Sequence, residues 1–374
     1  MEPIRVLVID DSAYNRQTIS AMLEANSDMR VVGRAADGEE GLKLVFQMEP
    51  DIITLDLEMP RMDGFTFLRI LMARRPTPVV VISGQSSREI VFRALELGAL
   101  DFVIKPTRQI SPDLQNIRDE LIGKVRLVTQ LRALPSGAAK GPDTSPPIIP
   151  PLPSVQPVDA ADASKGRDTN PGSLPAPVGP APPYLVVVGA STGGPPALLQ
   201  LLSALNPTMP AGVLITQHMP PRFTRAFADR LCRLTRFHVR EAEEGNHVVA
   251  GLALVAPGDG SMALRWEGDA LRLSIEGESA AHRFVPSIDR MFETAALAMG
   301  PRVLGVILTG MAGDGGQGVR MVKHFGGRVV VESPDSAVLP GMPGAAIATG
   351  MVDEVMRLDL IPEAIERFVR ADKP

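Results

Sequence analysis

The sequence predicts an α/β protein of two doubly wound parallel-sheet domains joined by a proline-rich linker. Three observations lead there. Short Val/Ile/Leu runs alternate with helix-period segments on both sides of the chain's middle, the pattern of parallel strands buried on both faces with helices between them. The stretch from Pro135 to Pro183 holds 14 prolines in 49 residues and no aromatic residue, so it cannot bury a core and reads as an extended, mobile linker. The length of 374 residues suits two domains, or three, at about 100–200 residues each. Aromatic residues resume at Tyr184, directly before Leu-Val-Val-Val. The expected division is a first domain over 1–125, a helix end and flexible linker over 126–183, and a second domain over 184–374.

In the first domain strand and helix alternate five times. The strand runs are Ile4 to Ile9, Arg30 to Ala35, Ile52 to Asp56, Val79 to Ser83 and Phe102 to Lys105. The helical patterns between and after them are Ser12 to Asn26, Gly38 to Met48, Gly64 to Arg74, Ser87 to Leu97 and Pro112 to Gln130. In a sheet of this kind the working residues gather beyond the carboxyl ends of the strands. Four of the five strand ends carry candidates: Asp10 and Asp11, Asp56, Ser83, and Lys105 beside the cis-prone Lys105-Pro106 bond. Carboxylates crowded together repel one another, and a hard divalent cation such as Mg²⁺ is the best reason to gather them. A lysine and a hydroxyl facing them can hold the oxygens of a phosphoryl group in transfer, with an aspartate as nucleophile.

The second domain opens with the strand Leu185 to Val188, which runs into Gly189-Ala190-Ser191-Thr192-Gly193-Gly194-Pro195 and a helix through Leu205. As a dinucleotide fingerprint this turn fails. Ser191 holds the second glycine position, and the next strand, Val213 to Thr216, ends in Gln217-His218 where an acid is required. It lacks the Gly-Lys-Ser/Thr of a P-loop as well. As Gly-x-Ser-x-Gly it places a serine on a tight strand-to-helix corner beside backbone N–H groups, which suits a nucleophile and an oxyanion site together. A serine hydroxyl needs a base, and His218 ends the adjacent predicted strand. An imidazole that becomes cationic needs an orienting carboxylate, and Asp314 follows a third strand, Val303 to Leu308. The order Ser, His, Asp differs from the Ser, Asp, His of α/β-hydrolases and disfavours a plain lipase-like enzyme. His238, His247, His282 and His324 fall in loops or on polar helix faces, without zinc spacing.

Both domains resemble known families. The motifs Val-Ile-Asp10-Asp11-Ser, Leu-Asp56-Leu-Glu-Met-Pro60-Arg-Met-Asp63-Gly64, Val-Ile-Ser83-Gly and Ile-Lys105-Pro106 resemble the flavodoxin-like receiver domains of two-component signalling. The resemblance implies that Asp56 takes phosphate from a histidine kinase. It also implies that Asp11, Asp56 and the Glu58 carbonyl bind Mg²⁺ with support from Asp10, that Ser83 and Lys105 meet the phosphoryl group, and that Phe102 is the switching aromatic. A phenylalanine there has no hydroxyl, so its inward and outward states would differ by packing alone. The second domain carries the serine turn, Gln217-His218-Met219-Pro220, Ala256-Pro257-Gly258-Asp259, Pro286-Ser287-Ile288-Asp289, Leu308-Thr309-Gly310-Met311-Ala-Gly-Asp314-Gly315 and Gly341-Met342-Pro343. It is similar to the Rossmann-like, three-layer catalytic domain of chemotaxis protein-glutamate methylesterases.

That second resemblance implies a triad of Ser191, His218 and Asp314, with Thr192 and the Met311 backbone at the oxyanion and no metal at the esterase site. The family hydrolyses glutamate γ-methyl esters on chemoreceptors, releases methanol, and often deamidates receptor glutamines. It further implies that the unphosphorylated receiver covers the active site, with a linker spanning about 35–42 Å on average. Two departures, Gly260-Ser261-Met262 and His282-Arg283-Phe284-Val285, stand where the family has a histidine and a basic stretch. They bear on which receptors are recognised.

Charge excludes other classes. Residues 1–125 carry 15 Lys+Arg against 19 Asp+Glu, 126–183 carry 5 against 4, and 184–374 carry 18 against 20. No segment has the basic excess that binding to nucleic acid requires. No apolar run approaches the roughly 18 residues of a membrane span, and the N-terminus lacks a signal-peptide layout; a cytoplasmic monomer served by a chemotaxis histidine kinase and acting on chemoreceptors is expected. A single cysteine, Cys232, rules out an internal disulfide and is expected to be a small buried helix residue. The rival reading is a receiver-controlled binding module without hydrolysis. A milder alternative assigns the enzyme to a pathway for surface motility or development.

Overall fold

The computed structural model describes residues 2–84, 88–105, 117–126, 177–277, 284–311 and 313–370. Most of the expected linker, together with Pro106, His282 and Arg283, lies outside them. The chain forms two compact units.

The first unit is a five-stranded sheet: β1 (Ile4–Ile9), β2 (Met29–Ala35), β3 (Ile52–Leu55), β4 (Val79–Ser83) and β5 (Asp101–Ile104). The order is β2-β1-β3-β4-β5 and every pairing is parallel. β3 and β4 are buried along their whole length, which is why they read as unbroken apolar runs. Helices Ala13–Glu24, Gly38–Met48 and Gly64–Arg74 begin at Ser12, Asp37 and Asp63, whose side chains accept first-turn N–H groups. Of the helix expected over Pro112 to Gln130, residues 117–126 are described and helical. The chain winds outward from β1 on one side and crosses to β3 on the other, so the loops after β1 and β3 diverge at a switch point and open a crevice.

The second unit is a seven-stranded, wholly parallel sheet in the order β14-β13-β12-β6-β7-β9-β8. Its strands are β6 (Tyr184–Ala190), β7 (Ala211–Gln217), β8 (His238–Glu241), β9 (Leu252–Val255), β12 (Val303–Ile307), β13 (Arg328–Glu332) and β14 (Glu354–Met356). An antiparallel hairpin, β10 (Ser261–Glu267) with β11 (Ala270–Glu276), forms a separate two-stranded sheet. Its inner residues Met262, Leu264, Leu271 and Leu273 share one apolar core with Met291, Phe292 and Ala295 of the helix Ile288–Met299. The residues just before β6 already belong to this unit, because Ala181 packs against that core.

Two expectations need correction. Cys232 is half-buried, on the flank of the amphipathic helix Phe223–Leu234. His238 opens the edge strand β8 and pairs with Leu252, so it is a strand residue. Among the described residues no helix is long and apolar enough to cross a membrane.

Candidate active site

The switch point of the second sheet lies between β6 and β12. From β6 the chain passes to β7, on to the edge strand β8 and back to β9 between them, all on one side, then returns to β12 on the other. Register does the rest: Ala190 is paired with Gln217, and Gly189 with Ile307, so Ser191, His218 and the loop after β12 emerge at one level. The ladder continues past the strands, with the His218 N–H on the Ala190 carbonyl at 3.0 Å and the Ser191 N–H on the Thr309 carbonyl at 3.0 Å.

These constraints bring together Ser191, His218 and Asp314, which are far apart in sequence. His218 Nδ1 lies 3.3 Å from Ser191 Oγ, and its Nε2 lies 2.8 Å from Asp314 Oδ2. An ionised carboxylate only accepts, so Nε2 carries the proton and the Nδ1 lone pair faces the serine. Asp314 is held by the Ile288 N–H on Oδ2 at 2.8 Å and the Asp289 and Gly315 N–H groups on Oδ1 at 3.0 and 3.1 Å. Burial works to raise its pKa, but His218 and the Ile288 and Asp289 N–H groups outweigh it and keep the carboxyl below its ordinary value of 3.8. Thr192, directly after Ser191, is buried, while Met311 is half-buried in the loop that leads to Asp314.

Two glycines are required by close approach. A Cβ on Gly310 would come within 2.3 Å of Met342 Sδ and 2.7 Å of Ser191 Cβ; one on Gly194 would come within 1.9 Å of Gln217 Oε1. The helix Gly194–Ala204 therefore starts against the side chain that ties the two corners together. Gln217 Nε2 donates to the Ser191 carbonyl at 2.8 Å and to the His218 carbonyl at 3.0 Å.

Three residues at the site had no role in the sequence reading. Gln217 is one. Asp289 accepts the Gly315 N–H at 3.0 Å and the Gly318 N–H at 2.6 Å, while its own N–H holds Asp314; burial, with the neighbouring Asp314 charge, pushes its carboxyl up to about 6 against the Gly318 bond. Phe284 stacks on the His218 ring, with centroids 5.3 Å apart and planes 18° off parallel. Asp289 stood in a quoted motif, and Phe284 in a quoted departure from one. Phe284 reaches the site from the loop before the helix Ile288–Met299 and Asp289 from the first turn of that helix, and no local pattern reveals where either is placed. His247 and His324 stand away from this relay, with Nδ1 of the former 3.4 Å from the Gly179 carbonyl and the latter edge-on to Phe325.

In the first unit, Asp10, Asp11 and Asp56 place one carboxylate oxygen each within 4.8 Å of one another. Lys105 Nζ sits 2.5 Å from Asp56 Oδ2 and 3.3 Å from Asp10 Oδ2. Three oxygen-bearing acids against one lysine are a donor set that fits a hard divalent cation. Burial pushes the Asp56 carboxyl up to about 6, against the opposing pull of Lys105. Although burial disfavours the Lys105 ammonium, the Asp56 and Asp10 carboxylates raise its pKa. The Glu58 N–H donates to Asp56 Oδ1 at 3.2 Å, and the Lys105 N–H to the buried Ser83 carbonyl at 2.7 Å. Phe102 is buried, with Lys124 Nζ 5.2 Å from its ring centroid.

Comparison with known proteins agrees with both halves. Residues 186–365 match the family model for CheB methylesterase, and residues 6–113 the model for the response regulator receiver domain. The chain is 44% identical over 375 residues to protein-glutamate methylesterase/protein-glutamine glutaminase 3 of Geobacter sulfurreducens, covering 98% of this chain and 97% of the relative. It is 45% identical over 367 residues to protein-glutamate methylesterase/protein-glutamine glutaminase 1 of Myxococcus xanthus, again covering 98% and 97%. The crystal structure of the Thermotoga maritima CheB methylesterase catalytic domain aligns with a TM-score of 0.48 at 34% identity, over 50% of this chain and 98% of that one.

Proposed function

The chain belongs to the CheB methylesterase family, with a receiver domain at its N-terminal end, and on that premise we propose that it is a phosphorylation-activated hydrolase of glutamate γ-methyl esters on chemoreceptors. The observation that carries the reading is the unbroken relay from Ser191 Oγ through His218 to Asp314. Ser191 Oγ attacks the ester carbonyl carbon as His218 Nδ1 takes its proton, and Asp314 stabilises the imidazolium through Nε2–H. The Ser191 N–H already donates to the Thr309 carbonyl, so the oxyanion needs other donors. Thr192 and the Met311 backbone, which flank the nucleophile, are assigned that role. His218 returns the proton to the departing methoxide, methanol leaves, and the acyl bond to Ser191 remains. Water then adds to the acyl carbon, giving its proton to His218; the Oγ–acyl bond breaks, Ser191 regains its proton, and the free glutamate is released. A receptor glutamine follows the same course with ammonia as the leaving group. No step of this hydrolysis calls for a metal.

The receiver supplies the control. Asp56 is the phosphate acceptor from a chemotaxis histidine kinase, with Ser83 and Lys105 contacting the phosphoryl oxygens and Phe102 as the packing switch. Asp11, Asp56 and the Glu58 carbonyl would hold Mg²⁺, supported by Asp10, and the ion would neutralise charge on the phosphoryl group. Phosphorylation is proposed to relieve inhibition by the receiver, in a cytoplasmic chemosensory pathway. The test is methanol release from methylated receptor membranes by wild type and Ser191→Ala, with and without acetyl phosphate and Mg²⁺. Release stimulated by the phosphodonor and lost in the variant supports the reading; equal release from both proteins removes it.

A further inference from the structure

Beneath the nucleophile loop lies a carboxylate that this chemistry leaves unused. Glu332 closes β13 and is 1% exposed. Its Oε2 accepts the Thr309 N–H at 2.8 Å, and its Oε1 accepts the Ser336 hydroxyl at 3.2 Å. Thr309 is the joint of the site. Its carbonyl accepts the Ser191 N–H at 3.0 Å, its hydroxyl donates to the Thr192 carbonyl at 3.0 Å, and the same hydroxyl accepts the Leu339 N–H at 2.9 Å. Gly310 follows, held by its N–H on the Leu339 carbonyl at 3.1 Å and by the Met342 N–H on its own carbonyl at 2.9 Å. One residue thus carries the Ser191–Thr192 corner on one side and the Gly310–Met311 segment on the other, and Glu332 is its buried anchor.

A carboxylate whose hydrogen-bond partners are both neutral is a costly anchor unless its charge can be given up. The polar groups facing Glu332 are the Thr309 N–H from the loop after β12 and the Ser336 hydroxyl from the turn after β13. Across the sheet its register partner on β14 is Met356. No charged side chain among the described residues contributes to its titration; burial pushes its carboxyl up to about 7, with Thr309 and Ser336 opposing. Ser336 Oγ also lies 3.3 Å from the Ser333 carbonyl and accepts the Leu358 N–H at 3.2 Å. Both protonation states are therefore satisfied. Ionised, Glu332 accepts from Thr309 and Ser336; protonated, its Oε1–H donates to Ser336 Oγ, and the serine hydrogen turns to the Ser333 carbonyl.

We propose that Glu332 is a positioning residue for the hydrolytic reaction, which acts through Thr309 to hold the nucleophile corner in register with the Gly310–Met311 segment. The neutral form is the favourable one for oxyanion formation, since an anion below the Thr309 peptide opposes negative charge developing on the acyl group. The proposal rests on the hydrolase reading, so wild type and Ser191→Ala accompany the test. Methanol release by the full-length protein with phosphodonor is measured as kcat and KM from pH 5.5 to 8.5 for Glu332→Gln and Glu332→Ala. Glutamine keeps the shape, with its carbonyl toward Thr309 and its amide toward Ser336. Its kcat should stay within about threefold of wild type at pH 6, and the ratio of variant to wild-type kcat should rise through pH 7. Alanine strands the Thr309 N–H, and a displaced nucleophile loop should lower kcat about 10–100-fold with little change in KM. A folded Glu332→Ala enzyme with wild-type kcat overturns the proposal, as does a Glu332→Gln pH profile that superimposes on that of wild type. If the alanine variant does not fold, the glutamine profile alone decides. Failure of wild type itself to release methanol would remove the hydrolase reading, and this proposal with it.

Discussion

Replacing Asp314 by asparagine tests the relay at its least exposed member. Both carboxylate oxygens face donors only: His218 Nε2 and the Ile288 N–H on Oδ2, the Asp289 and Gly315 N–H groups on Oδ1. An asparagine must turn its NH₂ toward one pair. Turned toward Asp289 and Gly315 it meets two opposed donors; turned toward His218 it meets one, at Ile288, and the imidazole can shift its proton to accept the amide. That second arrangement is favoured by one opposed contact, about 1–3 kcal/mol, which is about 5- to 150-fold at 1.36 kcal/mol per decade. It also leaves Nδ1 protonated toward Ser191, the wrong tautomer for a base. Loss of the anionic acceptor removes about 1 kcal/mol more from the imidazolium. Asp314→Asn should therefore lower kcat by about 30- to 900-fold with KM nearly unchanged, measured as methanol release from methylated receptor membranes. Because the folded carboxyl lies below 3.8, its charge contributes stability above pH 3.8 that is lost as the pH falls through the folded value. The variant's deficit in melting temperature should accordingly shrink under acid. A folded variant within tenfold of wild-type kcat at pH 7 would refute the tautomer argument.

Gly310→Ala forces a methyl between Ser191 Cβ and Met342 Sδ, so it should cost about 1–3 kcal/mol in a thermal melt and lower kcat as well. An unchanged melt with full activity would show that the loop yields freely. Phe284→Ala removes the ring stacked on His218 and should lower kcat/KM about two- to fivefold, the worth of a partly exposed cation–π contact of about 0.5–1 kcal/mol. Phe284→Tyr should restore the wild-type rate, and a tyrosine variant as slow as alanine would point to a steric role for the phenylalanine. Asp56→Ala should retain basal methanol release and show no response to acetyl phosphate; persistent stimulation would place the phosphate acceptor elsewhere.

Much of the architecture was legible along the chain because it is local. Buried parallel strands are unbroken apolar runs, so the first domain's strands Ile4–Ile9 and Val79–Ser83 were expected with the bounds the structure shows, and the helix-period segments between strands marked the helices Gly38–Met48 and Gly64–Arg74 as closely. Candidate residues at strand ends followed from the rule that parallel sheets gather their chemistry there. The hairpin β10–β11 was not foreseen, because its alternation is weak: Met262, Ala263 and Leu264 are consecutive apolar residues, buried by a helix that follows later in the chain.

The amino-acid sequence by itself therefore determined the two doubly wound units, the proline-rich break between them, and which serine, histidine and acids stand at strand ends. Tertiary structure alone decided how those groups meet. Strand order set β6 between β7 and β12, which closed a gap of 27 residues between Ser191 and His218 and of 96 between His218 and Asp314. It also decided that Nδ1 of His218 faces the serine, that Phe284 covers the imidazole, and that Glu332 reaches Thr309. Each of these depends on a distance between residues remote in the chain. Periodicity and turn chemistry govern only neighbours within a few positions, and packing of the whole sheet settles the rest.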